Sequence, residues 1–191
     1  MPDELVAVLT RAQAAGFLGP GPVAAHIEHA DAYVRAWGGP PPGRLIDLGS
    51  GGGVPGLVLS LRWPTSQVAL LEASARRAAF LTAAVSALGL DGRVWVVHAR
   101  AEVAGHDPAL RGTFDLVCAR SFGRPAVTAE CGAPFLRVGG RLVVSEPPRS
   151  DGTRWPRAGL AVLGLGPPTF VADGPHIVVC VQEMSCPPRY P

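Results

Sequence analysis

Apolar side chains recur every three or four positions along residues 22–37, where Val23, Ile27, Ala30, Val34 and Trp37 form one stripe. That spacing predicts a helix. A second helix is predicted over residues 3–16. The run Gly38-Gly39-Pro40-Pro41-Pro42-Gly43 stops any helix and sets a short N-terminal helical cap apart from the rest of the chain. Past residue 43, short apolar runs alternate with helical stretches. Strands are expected at 45–48, 68–71, 94–97, 114–119 and 142–145, and helices at 56–61, 75–88 and about 125–136. Two last strands, 169–172 and 177–181, have no long helix between them and should close the sheet as an antiparallel pair. Continuous apolar strands alternating with helices predict an α/β fold: a mostly parallel sheet, helices on both faces, and an antiparallel C-terminal strand. The expected organisation is a cap and linker over 1–43, one domain over 44–184, and a tail over 185–191 that frays.

Composition narrows the picture modestly. A chain of 191 residues, 48% hydrophobic and 17% charged, suits a single domain with a sizeable core. The 24 glycines and 20 prolines fall mostly between apolar runs and read as turn punctuation. A formal charge of +2 supplies no strong field, so a nucleic-acid partner is not implied by net charge, although a local patch stays open. All 17 basic residues are arginine, so no lysine amine is available as nucleophile or base. The N-terminus carries Asp3 and Glu4 with no long apolar stretch, which argues against a leader peptide, a membrane span or a membrane partner. Cys118, Cys131, Cys180 and Cys186 match no metal or redox spacing and are read as buried thiols in a reducing cytoplasm. His26 and His29 share a helix face without an evident third ligand, so no metal is expected. His98 and the four tryptophans are read as packing residues. The chain is expected to act as a monomer.

The segment richest in chemistry is Arg44-Leu45-Ile46-Asp47-Leu48-Gly49-Ser50-Gly51-Gly52-Gly53-Val54-Pro55-Gly56. A strand runs into a glycine-rich turn, and a helix opens at Pro55, where the missing N–H costs no bond. The spacing Gly51-x-Gly53-x-x-Gly56 formally matches a dinucleotide fingerprint. Asp47 points elsewhere: a carboxylate at the strand end repels a diphosphate but attracts the ammonium and sulfonium of S-adenosylmethionine (SAM). Its plainer reading is a cap on the following helix. Glu72 ends the next strand, where an acid can accept bonds from ribose hydroxyls. The turn Arg100-Ala101-Glu102 follows the third strand and is expected beside the adenine. Arg120 ends the fourth strand and is read as a phosphate or substrate contact, or as half of an ion pair. Arg100 has the same two readings. Arg76, Arg77 and Arg124 form either a basic rim for RNA or a solvated face.

Four ordered segments then resemble one family, the glucose-inhibited division protein B family of bacterial 16S rRNA guanine-N7 methyltransferases. They are the loop Asp47 to Gly56, the stretch Leu71-Glu72-Ala73-Ser74-Ala75-Arg76-Arg77-Ala78-Ala79-Phe80-Leu81, the turn Arg100-Ala101-Glu102, and Phe114-Asp115-Leu116-Val117-Cys118-Ala119-Arg120-Ser121-Phe122. The resemblance spans roughly residues 23–146. It implies a Rossmann-like SAM-dependent methyltransferase sheet, SAM as cofactor, and rRNA or the small ribosomal subunit as partner. The cofactor-binding set it supports is Asp47, Gly49, Ser50, Gly51, Gly53, Pro55, Gly56, Glu72, Ala73, Ala101, Glu102 and Arg120, with Arg120 and Arg100 as substrate-positioning candidates. The chain departs from the family pattern in its shortened N-terminus and in Ser121, where alanine is usual. Glu146-Pro147 also stands where a lysine and glycine usually follow the fifth strand. Guanine N7 has a free lone pair, so its methylation needs no general base, and no nucleophilic triad is found. On residues alone, three alternatives remain: SAM-dependent methylation of a small molecule or protein, NAD(P)-dependent oxidoreduction, and a non-enzymatic binding module.

Overall fold

The computed structural model describes residues 3–147, 150, 153–171 and 174–191. Two cap helices, α1 (Asp3–Ala14) and α2 (Val23–Trp37), precede the alternating part. There follow β1 (Arg44–Leu48), α3 (Gly56–Arg62), β2 (Gln67–Glu72), α4 (Ala75–Ala87), β3 (Val94–His98), α5 (Ala101–Ala104), β4 (Phe114–Ala119) and α6 (Pro125–Gly132). The chain ends with β5 (Leu136–Ser145), α7 (Arg157–Ala161), β6 (Thr169–Val171) and β7 (Ile177–Val181). The seven strands order as β3-β2-β1-β4-β5-β7-β6. β1 to β5 are parallel, and β7 pairs antiparallel with both β5 and β6.

Successive side chains on a strand face opposite sides of the sheet, and this parity divides the core in two. Leu45, Val68, Leu70, Leu116, Cys118 and Val143 pack beneath the cap helices, α3 and α4. Ile46, Leu48, Ala69, Leu71, Val117 and Leu142 pack on the other face, with Phe114, Phe135, Trp155 and Leu160. The cap belongs to the first core: Leu5, Val8, Leu9 and Tyr33 are fully or almost fully buried in it. The Tyr33 hydroxyl donates to the Ala119 carbonyl at 2.7 Å, tying α2 to the end of β4.

Several boundaries differ from the sequence expectation. The sixth helix stops at Gly132 and tightens into a 3-10 turn over Ala133–Phe135, because Pro134 lacks the N–H an α-helix needs. β5 begins at Leu136, six residues earlier than expected, and absorbs the extra length as a register shift opposite β4. The short helices α5 and α7 have no legible periodicity. β6 ends at Val171; Ala172, expected to belong to it, lies outside the described residues. His98, expected in the core, is exposed because β3 is the sheet's edge strand. The tail expected to fray is held by one side chain. Arg111 Nη1 donates to the Tyr190 carbonyl at 3.1 Å, and its Nη2 donates to those of Cys186 and Pro187 at 3.3 and 3.0 Å.

Candidate functional site

The carboxyl ends of β1, β2, β4 and β5 open on one side of the sheet, the side where ligands of parallel α/β folds bind. Two adjoining clefts lie over β1 and β2. One, of about 270 Å³, is walled by Gly49, Ser50, Gly51, Gly52, Arg77 and the cap loop Phe17-Leu18-Gly19. The other, of about 170 Å³, runs between Glu72, Ala73, Ala99, Ala101 and Phe122. A third cavity of about 330 Å³ lies over β4 and β5. Ser121 lines all three, and Arg120 lines the first and the third.

The glycine loop is shaped from within. Gly49, Gly51 and Gly53 have φ of 64°, 55° and 93°, a region costly for any residue bearing a Cβ. A Cβ on Gly53 would sit 2.4 Å from Leu57 Cδ1, and one on Gly56 would sit 2.4 Å from Leu70 Cδ2 and 2.6 Å from Asp47 Oδ2. Both glycines therefore face the interior rather than a cleft. The Val54–Pro55 peptide is cis, and Pro55 is buried at the start of α3.

Asp47 requires a correction. It shares strand parity with Leu45, so its side chain points under α3 rather than into a cleft. It is 1% exposed, and its Oδ2 accepts the Gly56 N–H at 2.9 Å. Burial pushes its pKa up to about 7, against the Gly56 bond, which lowers it. A largely buried, half-neutralised carboxyl offers no contact to a sulfonium. Asp47 fastens the glycine loop to the first turn of α3, the plainer of its two readings.

Glu72 serves both the loop and the cleft. Its Oε2 accepts the Gly51 N–H at 3.0 Å and its Oε1 accepts the Ser74 N–H at 2.8 Å. Each carboxylate oxygen has two acceptor positions, so one on each remains for a ligand hydroxyl in the cleft that Glu72 lines. Beside it, Ala73, Ala99 and Ala101 leave a slot between small side chains. A loop that a Cβ would block, an acid with acceptors to spare and a flat slot form a donor and acceptor set that fits SAM.

Arg100 takes the ion-pair reading of its two, and Glu102 is corrected. They pair with each other at 2.6 Å on the surface, 70% and 43% exposed, and neither lines a cleft. The Glu102 backbone N–H, then Arg100, hold its carboxyl below the usual range. Ala101 supplies the cleft wall at this turn.

Arg120 resolves differently from either reading. Its partner is not an acid: Nη2 donates to His26 Nδ1 at 2.8 Å, and His26 Nε2 donates to the Gly19 carbonyl at 3.0 Å. The arginine thus ties β4 through α2 to the cap loop over the glycine turn. Its Nη1 is buried with no partner among the described residues, as is His29 Nε2 in the same cavity. Burial pulls the His29 pKa down to about 4, helped by the positive Arg120, so the ring is neutral near pH 7. Sequence reasoning missed Phe17, Ser121, Phe122, His29, Glu146, Arg154 and Trp155 as wall residues. The paired histidines on α2 were a signal of sorts. Ser121, with φ of 54°, stands out in sequence only as a departure from the family pattern. Among the described residues no cluster of three or more His, Cys, Asp or Glu is placed to hold a metal, and no helix is long and apolar enough to cross a membrane.

Comparison with known proteins agrees with this geometry. The family model described as rRNA small subunit methyltransferase G matches residues 36–147. The chain is 38% identical over 164 residues to the ribosomal RNA small subunit methyltransferase G of Roseiflexus castenholzii, covering 82% of this chain and 69% of that one. The protein of the same name from Moorella thermoacetica is 34% identical, covering 80% of this chain and 66% of that one. For that from Prochlorococcus marinus the values are 44%, 54% and 42%. The chain therefore spans between about two fifths and two thirds of these relatives' lengths. Among solved structures, an O-methyltransferase from Bacillus cereus in complex with SAH superposes with a TM-score of 0.66 at 17% identity, covering 95% of this chain and 91% of that one. An SAH-bound methyltransferase from Podospora anserina superposes with a TM-score of 0.64 at 15% identity, covering 96% and 89%. The fold is that of the Rossmann-like SAM-dependent methyltransferases, and the chain belongs to the rRNA small subunit methyltransferase G family.

Proposed function

We propose that the chain transfers the methyl group of SAM to N7 of a guanine in 16S rRNA. The observation that carries this reading is the shared wall at Arg120 and Ser121. There the clefts fitted to SAM meet a polar cavity large enough for a base. Family membership supports rRNA of the small subunit as the partner.

In this reading Gly49, Ser50 and Gly51 cradle the amino-acid end of the cofactor, Glu72 takes the ribose hydroxyls, and Ala73, Ala99 and Ala101 bound the adenine. When bound, SAM supplies an electrophilic methyl on a sulfonium, and the departing thioether keeps the electron pair of the broken C–S bond. Guanine N7 brings its own lone pair, so the protein need not remove a proton. That matches a cavity whose imidazole, His29, is a weak base held near pH 4. Arg120 and Ser121 orient the base and the cofactor relative to each other. Such placement is worth about 7–11 kcal/mol of barrier at most. Arg77, which lines both cofactor clefts, and Arg76 and Arg124 extend a basic rim for RNA phosphate. We further propose that the protein is a monomer and that it is cytoplasmic, the second in keeping with four buried free cysteines.

The test supplies purified protein with methyl-labelled SAM and 30S subunits or 16S rRNA lacking the modification. Label recovered as 7-methylguanine supports the reading. SAM binding by calorimetry with unlabelled rRNA rejects it. A second reading, methylation of a small molecule or protein, rests on Glu146 standing where the family has a base, and labelling of a metabolite pool alone would select it.

A further inference from the structure

The cavity over β4 and β5 has a recognisable hydrogen-bonding pattern. Glu146, the first residue after β5, is 8% exposed and lines it. Its carboxylate accepts the Ser150 hydroxyl on Oε2, and Arg154 Nη1 reaches Oε2 at 3.1 Å and Oε1 at 3.3 Å. The arginine holds the carboxylate in orientation. Among the described residues Oε1 has only the longer contact, and the serine hydroxyl is a neutral donor that can turn away, so the carboxylate can still accept from a ligand. Elsewhere on the cavity wall the need is reversed. Arg120 Nη1 and Trp155 Nε1 are buried donors without partners among the described residues. Both side chains line the cavity, and a buried donor left unpaired is costly, so a turn of either side chain toward the cavity lets it meet a ligand acceptor.

Guanine presents the complement of this wall: two donors, N1–H and N2–H2, beside one acceptor, O6. Adenine presents the reverse, with an N1 acceptor where the carboxylate sits and no 2-amino group. Building on the proposed methylation of guanine, we infer that Glu146 reads the N1–H and N2–H2 edge of the target base, with Arg154 as its positioning residue. Strand order supports the direction of entry. β5 lies two strands from β1, roughly 10 Å at the usual spacing of about 4.8 Å. N7 is on the opposite side of the purine from N1 and N2. A guanine held at the β5 end by that edge turns N7 toward Ser121 and the cofactor clefts. Phe122 and Trp155 flank the same cavity and give its ring apolar walls.

The experiment compares wild type with Glu146→Gln and Glu146→Lys. GMP, IMP and AMP are titrated by NMR at millimolar concentration, and SAM is titrated by calorimetry. Wild type should bind GMP at least tenfold more tightly than AMP, with IMP, which lacks the 2-amino group, in between. Both variants should lose at least tenfold in GMP affinity while SAM affinity stays within twofold, and kcat/KM on 16S rRNA should fall at least 30-fold. Equal GMP and AMP affinity in wild type overturns the inference, as does either variant binding GMP normally. Should the variants lose SAM binding, and so their fold, the wild-type ranking of the three nucleotides decides. Wild type that ranks GMP first through Glu146 but leaves rRNA unlabelled would keep the pocket and remove the rRNA reading. Labelled rRNA without that ranking would do the opposite.

Discussion

Over β1 and β2 the cleft floor is backbone and small side chains, Gly49, Gly51, Ala73, Ala99 and Ala101, with Glu72 as the one acid and Phe17, Arg77 and Phe122 at the sides. Over β4 and β5 it is large side chains gathered from distant segments: His29 from α2, Arg120 just after β4, Glu146 just after β5, and Arg154 and Trp155 from beyond. The first half is shaped by what a Cβ would obstruct, the second by which polar atoms are left to pair. A substitution should therefore act through packing and backbone in one half, and through charge and hydrogen bonding in the other.

The largest effect is expected from Gly56→Ala. The added methyl meets Leu70 and Asp47 Oδ2 well inside contact distance and pushes apart the bond that fastens loop to helix. Overpacking of this kind costs about 1–3 kcal/mol of stability. SAM affinity should fall by at least roughly 100-fold, equivalent to about 2.7 kcal/mol. Urea unfolding and calorimetry check the two numbers. Gly92→Ala is the control, since a Cβ there meets nothing within 4 Å, and its stability should stay within about 0.5 kcal/mol of wild type. Equal behaviour of the two variants would mean that the loop tolerates bulk and that the cradle is not built by exclusion.

Arg120→Met probes the other half. It keeps the aliphatic stem and removes the guanidinium that bonds His26 and faces the shared wall. Methyl transfer to rRNA should drop by about 100-fold in kcat/KM, roughly 2.7 kcal/mol. SAM affinity should change by less than tenfold, because the guanidinium bonds His26 rather than the glycine loop. A loss confined to SAM affinity would move Arg120 into the cofactor half and dissolve the division.

The same division explains what could be read from sequence. The glycine loop, Glu72 and the parallel strands are local: their meaning lies in residues adjacent along the chain, and periodicity exposes it. Asp47 escapes such a reading because its parity on β1, not its place beside the glycines, decides where it points. Arg100 and Glu102 escape it because a two-residue spacing lets them pair with each other at the surface. Of the base cavity only Arg120 is legible. Its walls are up to 126 residues apart, from His29 to Trp155, and no sequence pattern records that packing α2 against the end of β4 brings them together. The anchoring of the tail is hidden for a similar reason, since one arginine at position 111 collects its carbonyls.

The gentlest expected effect is a difference in pH slope, at most about 1.4 kcal/mol per pH unit for one group, and it separates the halves by sign. Asp47, in the cofactor half, has its pKa raised from 3.8 to about 7 by burial. Between those values the folded chain keeps a proton that the unfolded chain has released, so this group removes stability as pH rises. His29, in the base half, has its pKa lowered from 6.5 to about 4. Across that window the unfolded chain binds a proton that the folded chain refuses, so this group adds stability as pH rises. In wild type the two slopes oppose each other between about pH 4 and 6.5. Asp47→Asn keeps an oxygen for the Gly56 N–H but cannot titrate, so its stability should climb more steeply with pH than wild type. His29→Gln should do the reverse and decline relative to wild type. Other titrating groups are common to all three proteins and cancel in the differences. Chemical unfolding at half-unit steps from pH 4 to 7.5 measures both slopes. Parallel curves for wild type and Asp47→Asn would show that Asp47 is solvated and charged, and would return it to the cleft as a direct partner for the sulfonium.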